Sequence, residues 1–234
     1  MIAGLQKMTL LDYPGKVAST VFLQGCNYAC PFCHNSQLLP FDAQEGMSEA
    51  ELLSFLTKRR GILDGVCITG GEPTMYPDLE SLLRQIKALG FAIKLDTNGS
   101  RPDVLRRLAV EKLIDYVAMD VKNSPGRYAQ TVGVPGLKLK AVEESLRFLI
   151  EGAISYELRT TLVQQFHDAT SLLEMGQWLA QLVPGKLPKV LYLQSFVDRE
   201  SVAFAGLSAP EMAQIQAYRA LLTPFVHQIH LRGE

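Results

Sequence analysis

The sequence has no run of about 18 apolar residues, so no segment reads as a membrane-spanning helix. It also has little excess charge of either sign. Its 23 Lys and Arg stand against 24 Asp and Glu, a formal net charge of −1. Phosphate binding needs clustered cations, so this balance gives no electrostatic case for nucleic acid or an anionic membrane. The basic runs Lys58-Arg59-Arg60 and Arg106-Arg107 fall at predicted helix ends or faces and read as solvated. Low-complexity tracts, internal repeats and linker-like stretches are lacking, and one domain over residues 1–234 is expected. The apolar stretch 17–23 is too short and poorly flanked for a secretory signal. A lipoprotein-type reading of Leu23-Gln24-Gly25-Cys26 fails on Gln24 and on Asp12 upstream. Cysteine is scarce, four in all with three clustered, which argues against a disulfide framework. Metal or redox use in the cytoplasm is expected instead.

What is present is core material. Hydrophobic residues make up 47% of the chain, enough to bury a sizeable interior. Short β-rich runs at 17–23, 65–69, 91–96, 116–120, 155–162 and 190–194 read as strands bounded by turn signals. Helical patterns lie between them at 49–60, 79–89, 102–110, 139–151 and 168–183. Ser48 and Glu51 form a capping box for the first. A second box at Ser208 and Glu211 is expected to open a further helix to about Leu222, with a last short strand at 226–231. Strand–helix alternation implies parallel strands joined by right-handed crossovers. Six such units are too few for a closed barrel, so the predicted fold class is α/β, a partial (β/α)6 barrel of open, three-quarter TIM-like form.

Such folds place ligands at the carboxyl ends of the strands. Unusual residues do fall there. The first strand is followed by Cys26, Cys30 and Cys33, the second by Gly70-Gly71-Glu72-Pro73, and the third by Asp96-Thr97-Asn98-Gly99. Gly70-Gly71 permits close backbone approach, although the same pair serves an ordinary βα turn. Glu72 can accept hydrogen bonds or pair with an ammonium group. Asp96 can bind ribose hydroxyls or a cation. Asp120 and Lys122 are expected on opposite faces unless the strand has already broken. Arg159, in a strand that otherwise reads as buried, needs an anion, for which a ligand carboxylate or Glu157 would serve. Cys67 reads as core. His227 and His230 read as surface residues of an edge strand.

The cysteine run has three readings. Cys30-Pro31-Phe32-Cys33-His34 has the form of a haem-attachment motif, but covalent haem requires export and leaves Cys26 unexplained. Zinc could take the three cysteines and His34, but His34 adjoins Cys33 and would strain to reach the same ion. Cys67 could complete a zinc site only if its strand ended by the loop. Three thiolates holding three irons of a [4Fe–4S] cluster, with the fourth iron open, is the preferred reading.

C-x3-C-x2-C with Phe32 before the last cysteine, followed by Gly-Gly-Glu-Pro, resembles the radical S-adenosylmethionine (SAM) superfamily. Asp12-Tyr13-Pro14-Gly15, Phe22-Leu23-Gln24-Gly25-Cys26, Cys33-His34-Asn35, Asp96-Thr97-Asn98-Gly99 and Asp120-Val121-Lys122 resemble its glycyl-radical-enzyme activating proteins. The likeness is greatest to activating proteins of anaerobic ribonucleoside-triphosphate reductase. The resemblance implies that Cys26, Cys30 and Cys33 ligate the cluster and that its open iron chelates SAM. It places Phe32 by the adenine and Gly70, Gly71 and Glu72 at the methionyl ammonium. Asp96, Asp120 and Lys122 would lie around the ribose, carboxylate or a cation, with Arg159 at the carboxylate. The implied reaction is one-electron cleavage of SAM to a 5′-deoxyadenosyl radical, which takes hydrogen from a glycine of a partner enzyme. A small-molecule enzyme of deazapurine biosynthesis and a non-catalytic zinc-stabilised module are the alternatives.

The likeness has gaps. Pyruvate formate-lyase activating enzymes offer a histidine after the sixth strand, where this chain has Gln194-Ser195-Phe196. No second cysteine set lies between Cys33 and Gly70, so the electron is expected from an external flavodoxin or ferredoxin.

Overall fold

A computed structural model describes residues 1–42 and 46–233. In chain order the elements are β1 (Ile2–Thr9), β2 (Ala18–Leu23), α1 (Glu49–Thr57), β3 (Gly65–Gly70), α2 (Leu79–Ala88), β4 (Ala92–Thr97), α3 (Pro102–Val110) and β5 (Tyr116–Asp120). They continue with α4 (Pro125–Thr131), α5 (Lys140–Glu151), β6 (Ser155–Leu162), α6 (Ala169–Gln181), β7 (Val190–Ser195), α7 (Met212–Leu222) and β8 (Gln228–Arg232). The α/β alternation and the mostly parallel strands agree with the expected class. The chain forms two compact units. One comprises Met1–Asn27 and Gln37–Ala118, the other Tyr28–Ser36 and the chain from Met119 onward.

In the first unit β1 pairs antiparallel with β2, while β2, β3 and β4 run parallel. Parallel strands are covered on both faces, which is why β3 is an unbroken run of buried Val66, Cys67 and Ile68. Leu79, Leu82, Leu83 and Ile86 form the buried stripe of α2, at the spacing that puts residues on one helix face. Ser48 and Glu51 make the predicted capping box of α1.

In the second unit β6, β7 and β8 run parallel. Val142, Leu146 and Leu149 bury one face of α5, and Leu172, Met175 and Leu179 one face of α6. Gly152, at φ 92°, closes α5 in the left-handed conformation that glycine adopts without a Cβ penalty. His227 and His230 are exposed, as expected of the edge.

Three elements depart from expectation. β1 adds an antiparallel strand before the first predicted one, and α4 is a short helix between β5 and α5. The capping box of α7 joins Glu211 to Gln214, not Ser208 to Glu211, so this helix starts later. Among the described residues no helix is long and apolar enough to cross a membrane.

Candidate functional site

In the first unit the parallel register brings Leu23 opposite Gly70, so the segments that leave β2 and β3 start side by side. The backbone beyond β2 is held by its neighbours: Gly25 N–H donates to Leu38 O at 2.8 Å and Cys26 N–H to Leu39 O at 3.0 Å. Gln24 Nε2 donates to Pro40 O at 2.8 Å. Gly71 N–H reaches Leu23 O at 2.9 Å and Glu72 N–H reaches Gly25 O at 2.8 Å. A Cβ on Gly71 would lie 2.2 Å from Gly25 O, and one on Gly70 (φ 123°) 2.2 Å from Leu23 O. Only glycine permits this approach, which gives the Gly-Gly pair more than a turn-making role.

Glu72 is buried, and its carboxylate acts as a clamp across β3 and β4. It accepts from Thr74 N–H at 3.1 Å, Thr97 Oγ1 at 2.7 Å and Asn98 N–H at 2.6 Å. Burial pushes its pKa up, against the pull of these bonds. Asn98 Nδ2 in turn donates to Asn27 Oδ1 at 3.0 Å, tying the loop after β4 to the residue beside Cys26. Asn27 Nδ2 reaches Ser100 Oγ at 2.9 Å. Asp96 pairs with the buried ammonium of Lys94. Cys67 is core, as expected, but its Sγ lies 3.7 Å from Asp96 Oδ1.

In the second unit the cysteine loop makes a tight turn, with Cys33 N–H donating to Cys30 O at 3.1 Å. Ala29 N–H donates to Val132 O at 2.9 Å, and a Cβ on Gly133 would lie 2.4 Å from Ala29 O. Burial pushes the Cys30 thiol up to about 11, with the Lys122 ammonium pulling the other way. The Phe32 ring is buried and packs on Phe166, centroids 5.7 Å apart. His34 lies flat on Phe196 at 5.4 Å and its Nε2 is 2.8 Å from Val197 O.

Asp120 carries two cations: Lys122 Nζ at 2.8 Å and Arg159 Nε at 3.1 Å. Burial alone would raise its pKa, but the cations prevail and hold it at about 2. The expectation that Asp120 and Lys122 face opposite ways is corrected. Residues two apart in a strand share a face, and β5 has in any case ended at Asp120. Arg159 meets Asp120, and the fully buried Glu157 takes Arg232 through two bonds of 3.1 and 3.0 Å. Behind Lys122, buried His167 donates from Nε2 to Lys122 O at 2.9 Å and accepts Val163 N–H at Nδ1, 3.1 Å. Burial lowers its pKa and favours this neutral form.

The expected site residues thus form two constellations. Cys26, Gly70, Gly71, Glu72 and Asp96 belong to the first unit, and Cys30, Phe32, Cys33, Asp120, Lys122 and Arg159 to the second. Among the described residues no three His, Cys, Asp or Glu side chains are gathered as a metal-holding group. Of the two fourth ligands weighed for zinc, Cys67 lies in the interior of β3, which runs on to Gly70, while His34 holds Val197 O through Nε2. Three cysteine thiols, none in a disulfide, suit iron–sulfur ligation by their softness. Sequence reasoning missed Lys94, Asn27 and His167. Lys94 alone left a signal, a charged residue inside an apolar strand two places before an aspartate.

The fold and the three-thiol donor set define a class, and comparison confirms it. The model of the Radical SAM superfamily matches residues 20–168, and the chain belongs to that superfamily. Its cofactors are accordingly a [4Fe–4S] cluster and SAM. Among relatives, a Methanocaldococcus jannaschii protein named as a candidate glycyl-radical enzyme activating enzyme is 33% identical over 184 residues, 76% of this chain and 74% of its own. A 7-carboxy-7-deazaguanine synthase of Thermococcus kodakarensis is 32% identical over 132 residues, 56% of this chain and 48% of its own. In fold the chain is similar to Streptococcus suis SuiB, with a TM-score of 0.68 at 14% identity, over 92% of this chain and 48% of that one.

Proposed function

We infer that the protein is a glycyl-radical enzyme activase whose protein substrate is an anaerobic ribonucleotide reductase. The observation that carries the activase reading is the 33% identity to the Methanocaldococcus jannaschii relative, sustained over about three quarters of both chains. The choice of partner rests on the activase-like motifs around Asp12, Cys26, Asp96 and Asp120.

When bound, the cluster and SAM supply a carbon-centred radical able to take hydrogen from a glycine Cα. The chain's own residues hold and orient these groups. Cys26, Cys30 and Cys33 are the ligands. Gly70 and Gly71 offer backbone to the methionyl ammonium, and Glu72 acts by fixing that backbone, since its carboxylate is committed to Thr74, Thr97 and Asn98. Phe32 lies by the adenine. Asp96 and Asp120 take the polar groups of the nucleoside, while Lys122 and Arg159 give Asp120 a fixed charge and leave local positive character for the SAM carboxylate. The electron comes from an external flavodoxin or ferredoxin.

The test is electron paramagnetic resonance of candidate glycyl-radical enzymes after anaerobic incubation with the reconstituted protein, SAM and reductant. A glycyl doublet on the ribonucleotide reductase is expected. A doublet on a different enzyme would reassign the partner. The identity to 7-carboxy-7-deazaguanine synthases favours a second reading, a small-molecule enzyme, and no doublet on any partner would support it.

A further inference from the structure

Lys94 has 1% of its surface exposed and stands in the middle of β4, between fully buried Ile93 and Leu95. A buried ammonium is expensive unless it is paired. Its partner is the Asp96 carboxylate, two residues along the same strand and so on the same side. On neighbouring β3, Cys67 is the register partner of Lys94, and its Sγ lies 3.8 Å from Nζ. The three side chains make one small polar cluster beside the fully buried apolar Val66, Ile68, Ile93 and Leu95 of the same two strands.

Stability does not explain this cluster, because well-packed apolar side chains commonly replace a buried ion pair without loss. What an apolar residue at 94 could not do is hold the Asp96 carboxylate in one place and balance its charge. Asp96 immediately precedes Thr97 and Asn98, which the Glu72 clamp fixes, so the end of β4 is held by side chains on both sides of the peptide. We propose that Lys94 is a positioning residue for SAM: its ammonium anchors the Asp96 carboxylate in the rotamer that the ligand meets, without touching the ligand. This rests on the reading of Asp96 as a SAM-binding residue.

The experiment is a double-mutant cycle on the reconstituted enzyme, with SAM Kd and melting temperature measured on the same samples. Asp96→Asn is expected to weaken SAM binding about tenfold or more. Lys94→Met is expected to weaken it similarly, raising KM for SAM cleavage much more than it lowers kcat. Because Lys94 acts through Asp96, the double variant should bind SAM no worse than Asp96→Asn alone, while its melting temperature returns toward the wild-type value. If Lys94→Met does not fold, Lys94→Gln supplies that corner of the cycle. Losses that simply add in the double variant would make the lysine merely structural and overturn the proposal. So would wild-type SAM affinity in the Lys94 variants beside a weakened Asp96→Asn. Wild-type affinity in Asp96→Asn would instead remove the SAM reading of Asp96.

Discussion

Asp120 shows how neighbouring side chains set the state of one group. With Lys122 and Arg159 both in contact, its carboxyl is held at about 2, below the ordinary value of about 3.9. A carboxylate depressed in the folded state contributes stability that is complete above its unfolded pKa. That contribution is lost as pH falls from about 3.9 toward about 2. Lys122→Met removes one of the two cations and leaves Arg159. Folding stability at neutral pH should fall by about 1.5–3 kcal/mol, the worth of a hydrogen bond to a charged group. The acid-unfolding midpoint should move to higher pH, and circular dichroism across an acid titration reads both. An unchanged midpoint would mean that Arg159 alone sets the ionisation of Asp120.

At the scale of elements, the Gly70–Gly71 connection governs how closely β3's exit meets β2's. A methyl group on Gly71 would collide with the backbone oxygen of Gly25, which is fixed by the Glu72 N–H and cannot withdraw cheaply. Gly71→Ala should therefore cost about 1–3 kcal/mol, as overpacking does, and lower the melting temperature by several degrees. Gly126 in α4 has open space around its Cβ, so Gly126→Ala should leave stability unchanged or raise it. Equal effects in the two variants would contradict the close approach. The same elements show what the sequence made legible. β2, β3, β4 and β7 were readable because parallel strands buried on both faces are short, mainly apolar runs, and α1 and α2 because a capping box and an apolar stripe are local signals. β1 was not, because its burial follows no period of two: buried ends flank a middle that is partly exposed throughout. The seven residues of α4 begin Pro125-Gly126, which reads as a turn, although proline at a helix's first position lacks only an N–H that would be unpaired anyway. The three cysteines and Gly-Gly-Glu were legible because their spacing is local. The Glu72 clamp, the Asn27–Asn98 tie and the Asp120–Arg159 and Glu157–Arg232 pairs were not, because each joins residues far apart in the chain.

For the molecule as a whole, membership in the radical SAM superfamily fixes the cofactors and the type of chemistry, while the substrate rests on the activase-like relative and motifs. The distinction that matters is where the hydrogen goes from. An activase takes it from a glycine Cα of another protein, whereas a deazaguanine-synthase-like enzyme takes it from a small molecule. The most direct measurement is deuterium transfer. Anaerobic ribonucleotide reductase carrying glycine deuterated at Cα is incubated with the reconstituted protein, SAM and reductant, and the 5′-deoxyadenosine formed is weighed by mass spectrometry. An activase gives one deuterium gained per 5′-deoxyadenosine formed in the activation turnover. Unlabelled 5′-deoxyadenosine, formed equally with and without the reductase, would contradict the activase reading.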